Sequence, residues 1–97
     1  MRRVIVRYQV HPERVAENEE LVRAVYAELA ARAPTTIRYS TYRSAEGAFL
    51  HLHEAEEGDE TLTSLPAFAR FRERLGERCA AAPVLIVVEE VGSHRPA

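Results

Sequence analysis

Ala48-Phe49-Leu50-His51-Leu52-His53 follows Ile37-Arg38-Tyr39-Ser40-Thr41-Tyr42-Arg43 after the four residues Ser44-Ala45-Glu46-Gly47. Both stretches alternate and are rich in aromatic or β-branched residues, and Gly47 punctuates the join, so together they read as a β-hairpin. Side chains in a strand alternate between faces, so Phe49, His51 and His53 share one face and Ala48, Leu50 and Leu52 the other. A four-residue turn sets Tyr42 opposite Phe49, Ser40 opposite His51 and Arg38 opposite His53. Cross-strand partners share a face. The hairpin then has an apolar side (Ile37, Tyr39, Thr41, Leu50, Leu52), expected to be core, and a polar-aromatic side whose cover decides the function.

Outward from the hairpin, Arg3 to Val10 alternates as a half-buried strand, with Val4, Val6, Tyr8 and Val10 on one face. His11-Pro12-Glu13 leads into an amphipathic helix ending near Arg32, with Val15, Leu21, Val22, Val25 and Leu29 as its buried stripe and Asn18 at the stripe's edge. Pro34 stops it. Glu54 to Glu60 reads as a solvated acidic connection. Leu62 to Arg78 is helical with a break near Pro66 and Ser64 as its N-cap. Leu65, Phe68, Phe71 and Leu75 line its core face, and Cys79 is a bystander. Val84-Leu85-Ile86-Val87-Val88 is a continuous apolar strand that calls for burial on both faces. Residues 1–92 form one domain, and 93–97 a tail.

Composition narrows the function. A chain of 97 residues has room for one core. Its hydrophobic fraction of 46% argues against disorder. A net charge of −2 leaves no electrostatic footprint for nucleic acid, although all 13 Lys or Arg positions are Arg. No apolar run reaches the roughly 20 residues of a membrane span, and Met1-Arg2-Arg3 enters a strand pattern without a signal-peptide cleavage site. The single Cys excludes an internal disulfide and suits a reducing cytoplasm.

Strand, helix, strand, strand, helix, strand, with right-handed crossovers around a central hairpin, predicts a ferredoxin-like split βαβ domain. This α+β fold has an antiparallel sheet of order 4-1-3-2 with both helices on one face. The other face is predicted to carry Ile5, Arg7, Gln9 and His11, then Arg38, Ser40 and Tyr42, then Phe49, His51 and His53. Such a patch needs a cover, as does the last strand. Two sheets packed face to face about a two-fold axis supply it. The expected assembly is a homodimer enclosing a pocket for a small polar aromatic.

The chain resembles the dimeric α/β-barrel superfamily that includes the antibiotic biosynthesis monooxygenases. The resemblance covers nearly the whole chain. It is carried by Val4-Ile5-Val6-Arg7-Tyr8-Gln9-Val10-His11-Pro12-Glu13, by Tyr39-Ser40-Thr41-Tyr42-Arg43-Ser44 and by Leu62-Thr63-Ser64-Leu65-Pro66-Ala67-Phe68-Ala69-Arg70-Phe71. It implies an α/β-barrel dimer, and in some members cofactor-independent oxidation of quinols or polyketide aromatics. His53 corresponds to the family's inward polar side chain on strand 3. Leu62 and Ala67 stand where the second helix often carries His, and the chain has no Trp, so the Asn, Trp and His constellation of haem-degrading members is not reproduced.

Deprotonating a phenol or quinol prepares the anion to give an electron to O₂. The site then needs a base near neutral pH and donors for the oxyanion. His51 and His53 are the candidate catalytic bases. Arg7, Gln9, Arg38, Ser40, Tyr42 and Phe49 are the candidate substrate-binding residues, and no cofactor is expected. The alternative is a binding or accessory homodimer that holds the same ligand without turnover. A metal site on His51 and His53 is disfavoured, because a third ligand is missing and Arg7 and Arg38 would oppose a cation.

Overall fold

A computed structural model describes residues 1–96 of the chain. The elements are β1 (Arg2–Gln9), a 3-10 turn (Pro12–Arg14), α1 (Val15–Arg32), β2 (Ile37–Arg43), β3 (Ala48–Ala55), α2 (Pro66–Arg72), α3 (Leu75–Arg78) and β4 (Val84–Val88). The strands form one antiparallel sheet in the order β2-β3-β1-β4. The helices lie on one side of it, so the ferredoxin-like reading holds. Residues 89–96 have no regular structure, and the last residue of the expected tail, Ala97, lies outside the described residues.

Helix α1 begins where Pro12 opens the 3-10 turn, a position at which a missing N–H costs nothing. It ends at Ala33, whose left-handed backbone (φ 47°) lets its N–H reach the Leu29 carbonyl at 2.7 Å, and Pro34 prevents continuation. The second helical stretch differs from expectation. Ser64 does not cap it; its hydroxyl donates to the Thr61 carbonyl, and Leu65 is the N-cap. The cap comes instead from α1, where Glu28 Oε1 accepts the Ala67 N–H at 2.8 Å. The stretch breaks after Arg72, and Arg74 is left-handed (φ 60°) before α3 starts.

The hairpin register also differs, and this decides the interior. Observed partners are Arg43↔Phe49, Thr41↔His51 and Tyr39↔His53, one residue away from the pairing expected with a four-residue turn. Ser44 N–H donates to the Ala48 carbonyl at 2.8 Å, so the loop has only three residues. Gly47 takes a positive φ of 85° behind a Ser44–Gly47 turn, as three-residue hairpin loops require. A one-residue slip moves every side chain of a strand to the other face. Phe49 (2% exposed) and His51 (4%) therefore lie under the helices beside Val4 and Tyr8, while Leu50 and Leu52 turn to the open face. The assignments for β1 (Val4, Tyr8 and Val10 inward) and β2 (Ile37 and Tyr39 inward) stand.

Gly47 has a second constraint, because a Cβ there would lie 2.9 Å from Val15 Cγ2. Gly47→Ala is expected to destabilise the fold by about 1–2 kcal/mol through its left-handed backbone, before any clash is counted. A urea midpoint equal to wild type would show that the loop can change shape.

Strand β4 pairs with β1 as the outer strand, yet Val84, Leu85, Ile86 and Val87 are 41–60% exposed in the single chain. The expectation that this strand is buried on both faces is not met within one chain. Val84 and Ile86 share the open face with exposed Tyr42 and Leu50 and half-buried Ile5 and Leu52, interrupted by Arg7, while Leu85 and Val87 lie on the helix side.

Candidate active site

The slip of β3 carries the two histidines into the space between sheet and helices. A cavity of about 470 Å³ opens there, walled by Val4, Val6, Tyr8, Tyr39, His51, His53, Leu62, Phe68, Phe71 and Leu75. Exposed Arg2, Thr63, Arg72 and Leu85 form its rim, with Asp59 between them. That volume is in the range of small-molecule sites. A second cavity of about 330 Å³, between the end of α1 and β2, offers only Tyr26 and Tyr39 as titratable groups.

Aromatic rings set the walls. Tyr8 stacks on Phe49 (centroids 5.6 Å apart) and on His51 (5.4 Å), and Tyr39 stacks on His51 at 5.8 Å. Phe68 and Phe71 close the helix side, with the Arg72 guanidinium 5.8 Å over the Phe68 ring. The β-strand period places Tyr39, Thr41, His51 and His53 on one face; α2 supplies Phe68 and Phe71 at the three-residue spacing of a helix face.

The two histidines differ in kind. Both ring nitrogens of His51 are engaged: Nε2 lies 2.7 Å from the Tyr8 hydroxyl, and Nδ1 lies 2.8 Å from that of Tyr39 and 2.9 Å from Thr41 Oγ1. Burial pushes its pKa down to about 4, so it is neutral at pH 7. In His53, Nε2 is buried and has no hydrogen-bond partner. Burial also lowers the His53 pKa, against the opposing pull of the Asp59 carboxylate. Burial raises the Tyr8 and Tyr39 hydroxyls far above the ordinary tyrosine range, which keeps both protonated.

Behind Tyr8 the network continues to a buried cation. Asn18 Nδ2 donates to the Tyr8 hydroxyl at 3.1 Å, and Arg78 Nε donates to Asn18 Oδ1 at 2.9 Å. Arg78 is 1% exposed. Its other nitrogens donate to the Phe71 carbonyl at 2.6 Å and the Glu73 carbonyl at 3.2 Å, at the end of α2. Those carbonyls have no intrahelical partner and mark the negative end of the helix dipole, so a buried guanidinium there is compensated without a carboxylate.

Of the residues singled out from the sequence, His51 and His53 line the cavity. Arg7, Arg38, Ser40 and Tyr42 lie on the opposite sheet face. Gln9 is engaged with the hairpin loop, donating to the Glu46 carbonyl at 2.6 Å. Phe49 is core, stacked on Tyr8. Tyr8, Asn18, Tyr39 and Arg78 belong to the site although sequence pattern does not single them out for it. A polar Asn on an otherwise apolar helical stripe is the available signal for one of them. Among the described residues, no three His, Cys, Asp or Glu side chains gather in a way that could hold a metal ion.

No protein-family model matches the sequence, and no curated protein is similar to it. Solved structures do match. Rv0793 from Mycobacterium tuberculosis is similar with a TM-score of 0.76 and 19% identity, over 97% of this chain and 98% of its own. A crystal structure named antibiotic biosynthesis monooxygenase gives a TM-score of 0.72 and 17% identity, over 95% of this chain and 100% of its own. A candidate antibiotic biosynthesis monooxygenase from Caulobacter crescentus gives 0.71 and 24%, over 94% and 90%. Nearly the whole chain thus has the ferredoxin-like fold of the antibiotic biosynthesis monooxygenase structures.

Proposed function

We propose that the protein is a homodimer whose cavity, in each subunit, binds a small hydroxylated aromatic and oxidises it with O₂ without a cofactor. The observation that carries this reading is the unpartnered His53 Nε2 in an aromatic-walled cavity of about 470 Å³. His53 takes the proton of a quinol or anthrone, and the carbanion or phenolate gives one electron to O₂. For an anthrone-type CH₂, the radical pair combines as a C–O bond, and the peroxide takes its proton from His53. Loss of water then leaves C=O, so that CH₂ plus O₂ becomes C=O plus H₂O. The arginines at the rim, Arg2 and Arg72, favour an anionic substrate over a neutral aliphatic one.

The reading is tested by a quinol and anthrone panel, screened for binding and then followed with an oxygen electrode. Binding with oxygen uptake supports it. Binding without uptake would make the chain the non-catalytic ligand-binding homodimer, and no binding at all would remove both.

The dimer rests on the open-face apolar residues Ile5, Leu50, Leu52, Val84 and Ile86, which a second sheet would cover. In this reading the ligand cavity lies within each subunit, since the histidines point away from the dimer face, and the sheets meet through those apolar residues with Arg7, Arg38, Ser40 and Tyr42 beside them. Light scattering is expected to give twice the 11.0 kDa chain mass, and Ile86→Glu, on the open face beside Ile5, is expected to yield monomer. A stable wild-type monomer at micromolar concentration would remove the dimer while leaving the cavity intact.

A further inference from the structure

The buried network has a direction, and that direction reaches the cavity. An arginine can only donate. Arg78 Nε therefore claims Asn18 Oδ1, which orients the amide so that Nδ2 donates to the Tyr8 hydroxyl oxygen. Tyr8 must then donate its own hydrogen to the remaining neighbour, His51 Nε2. A neutral imidazole that accepts at Nε2 carries its hydrogen on Nδ1. That N–H points to Tyr39 and Thr41, whose oxygens accept it. The Thr41 hydroxyl also stands beside Tyr39 Oη, but its oxygen is already engaged by His51 Nδ1 and the Tyr26 hydroxyl, and Tyr39 lines the cavity together with His53, ring centroids 6.1 Å apart.

We infer that Arg78 and Asn18 are positioning residues: they fix the sense of the Tyr8–His51–Tyr39 chain so that Tyr39 presents its hydroxyl hydrogen to the cavity as the donor for a ligand oxyanion. This rests on the proposed aromatic-binding cavity and deepens it. Tyr39 donates and His53 accepts, side by side, which matches an aromatic whose ring oxygen is losing, or has lost, its proton. The sense of the chain originates at the end of α2, in a cation that never touches the ligand.

Asn18→Asp tests the direction with almost no change of shape. A carboxylate at that position accepts from both Arg78 and Tyr8. Tyr8 can then no longer donate to His51, whose hydrogen moves to Nε2, and Nδ1 takes the hydrogen of Tyr39. Nitrogen-15 NMR of the ligand-free protein reads this directly: wild type is expected with Nε2 unprotonated, and the variant with Nε2 protonated. A merely structural role of Asn18 would not move that signal. With 4-nitrophenol as probe, Tyr39→Phe and Asn18→Asp are each expected to weaken binding by roughly tenfold to a hundredfold, the worth of one hydrogen bond to a charged group. The double variant should be no weaker than either, since both remove the same contact. A protonated Nε2 in wild type, an unchanged tautomer in Asn18→Asp, or wild-type affinity in Tyr39→Phe would each overturn the inference. Wild type with the expected tautomer that takes up no 4-nitrophenol would instead remove the aromatic-cavity reading and support the wiring alone.

Discussion

His53→Ala should lower oxygen uptake with a dihydroxylated aromatic by on the order of 10²–10⁴ while leaving binding within a few fold, the loss typical of a removed general base. The reason is the open Nε2, the one buried side-chain nitrogen or oxygen without a partner among the described residues. The alanine variant loses no hydrogen bond of that atom, so its stability should change little through it. His51→Ala should behave in the opposite way. Both of its nitrogens are occupied, and its removal strands the Tyr8 and Tyr39 hydroxyls. That variant should melt earlier, and its loss of turnover should track its loss of fold. The pH profile adds a second readout. A base must be unprotonated, and burial lowers the His53 pKa below the ordinary 6.5. For a substrate that does not itself titrate there, the acid-side fall in turnover should therefore lie at lower pH than an ordinary histidine would give. An oxygen-uptake rate unchanged in His53→Ala would assign the base to another group or remove catalysis from this cavity.

Arg78→Ala should destabilise the protein by about 3–5 kcal/mol, the cost of three neutral acceptors left without a donor less the relieved desolvation of the cation. Two effects compete. Removing a cation that is 1% exposed relieves a desolvation cost. Against it stand three acceptors, the Phe71 and Glu73 carbonyls and Asn18 Oδ1, each left buried or half-buried at about 1–3 kcal/mol. The guanidinium also lies 5.7 Å over the Phe71 ring, and its attraction to the ring face goes with it. The acceptors win because they cannot leave with the arginine. For a domain of this size the melting temperature should fall by roughly 15–30 °C, read by circular dichroism. Arg78→Met refills much of the volume without the donors, so a similar loss would place the energy in the hydrogen bonds. A loss below about 1 kcal/mol in both variants would mean that water takes over the three acceptors.

The α1 stripe and the inward face of β1 were legible in the sequence because periodicity carries them, and the 4-1-3-2 order because crossover handedness and a central hairpin leave few alternatives. Val4, Tyr8 and Val10 alternate without ambiguity, and Val22 and Val25 repeat at helical spacing. That residues 84–88 form a strand was legible too, whereas the two-sided burial expected from its apolar run is not met within one chain. The face of β3 was not legible. Alternation points to the apolar Ala48, Leu50 and Leu52 side as core, yet Phe49 and His51 are the buried ones, and the choice falls to a single residue of loop length. Gly47 in its left-handed conformation shortens the loop to three residues, and that slip puts the histidines under the helices. The burial of Arg78 lay equally outside local pattern. An arginine near a helix end reads as surface until the chain folds back and sets the carbonyls of α2 against it. Local period, then, determined which segments are strands and helices, and the handedness of the connections how they are ordered. Which face of β3 meets the helices, and hence that the cavity lies within one subunit, was decided by pairing register, because a period of two cannot distinguish a strand from itself shifted by one.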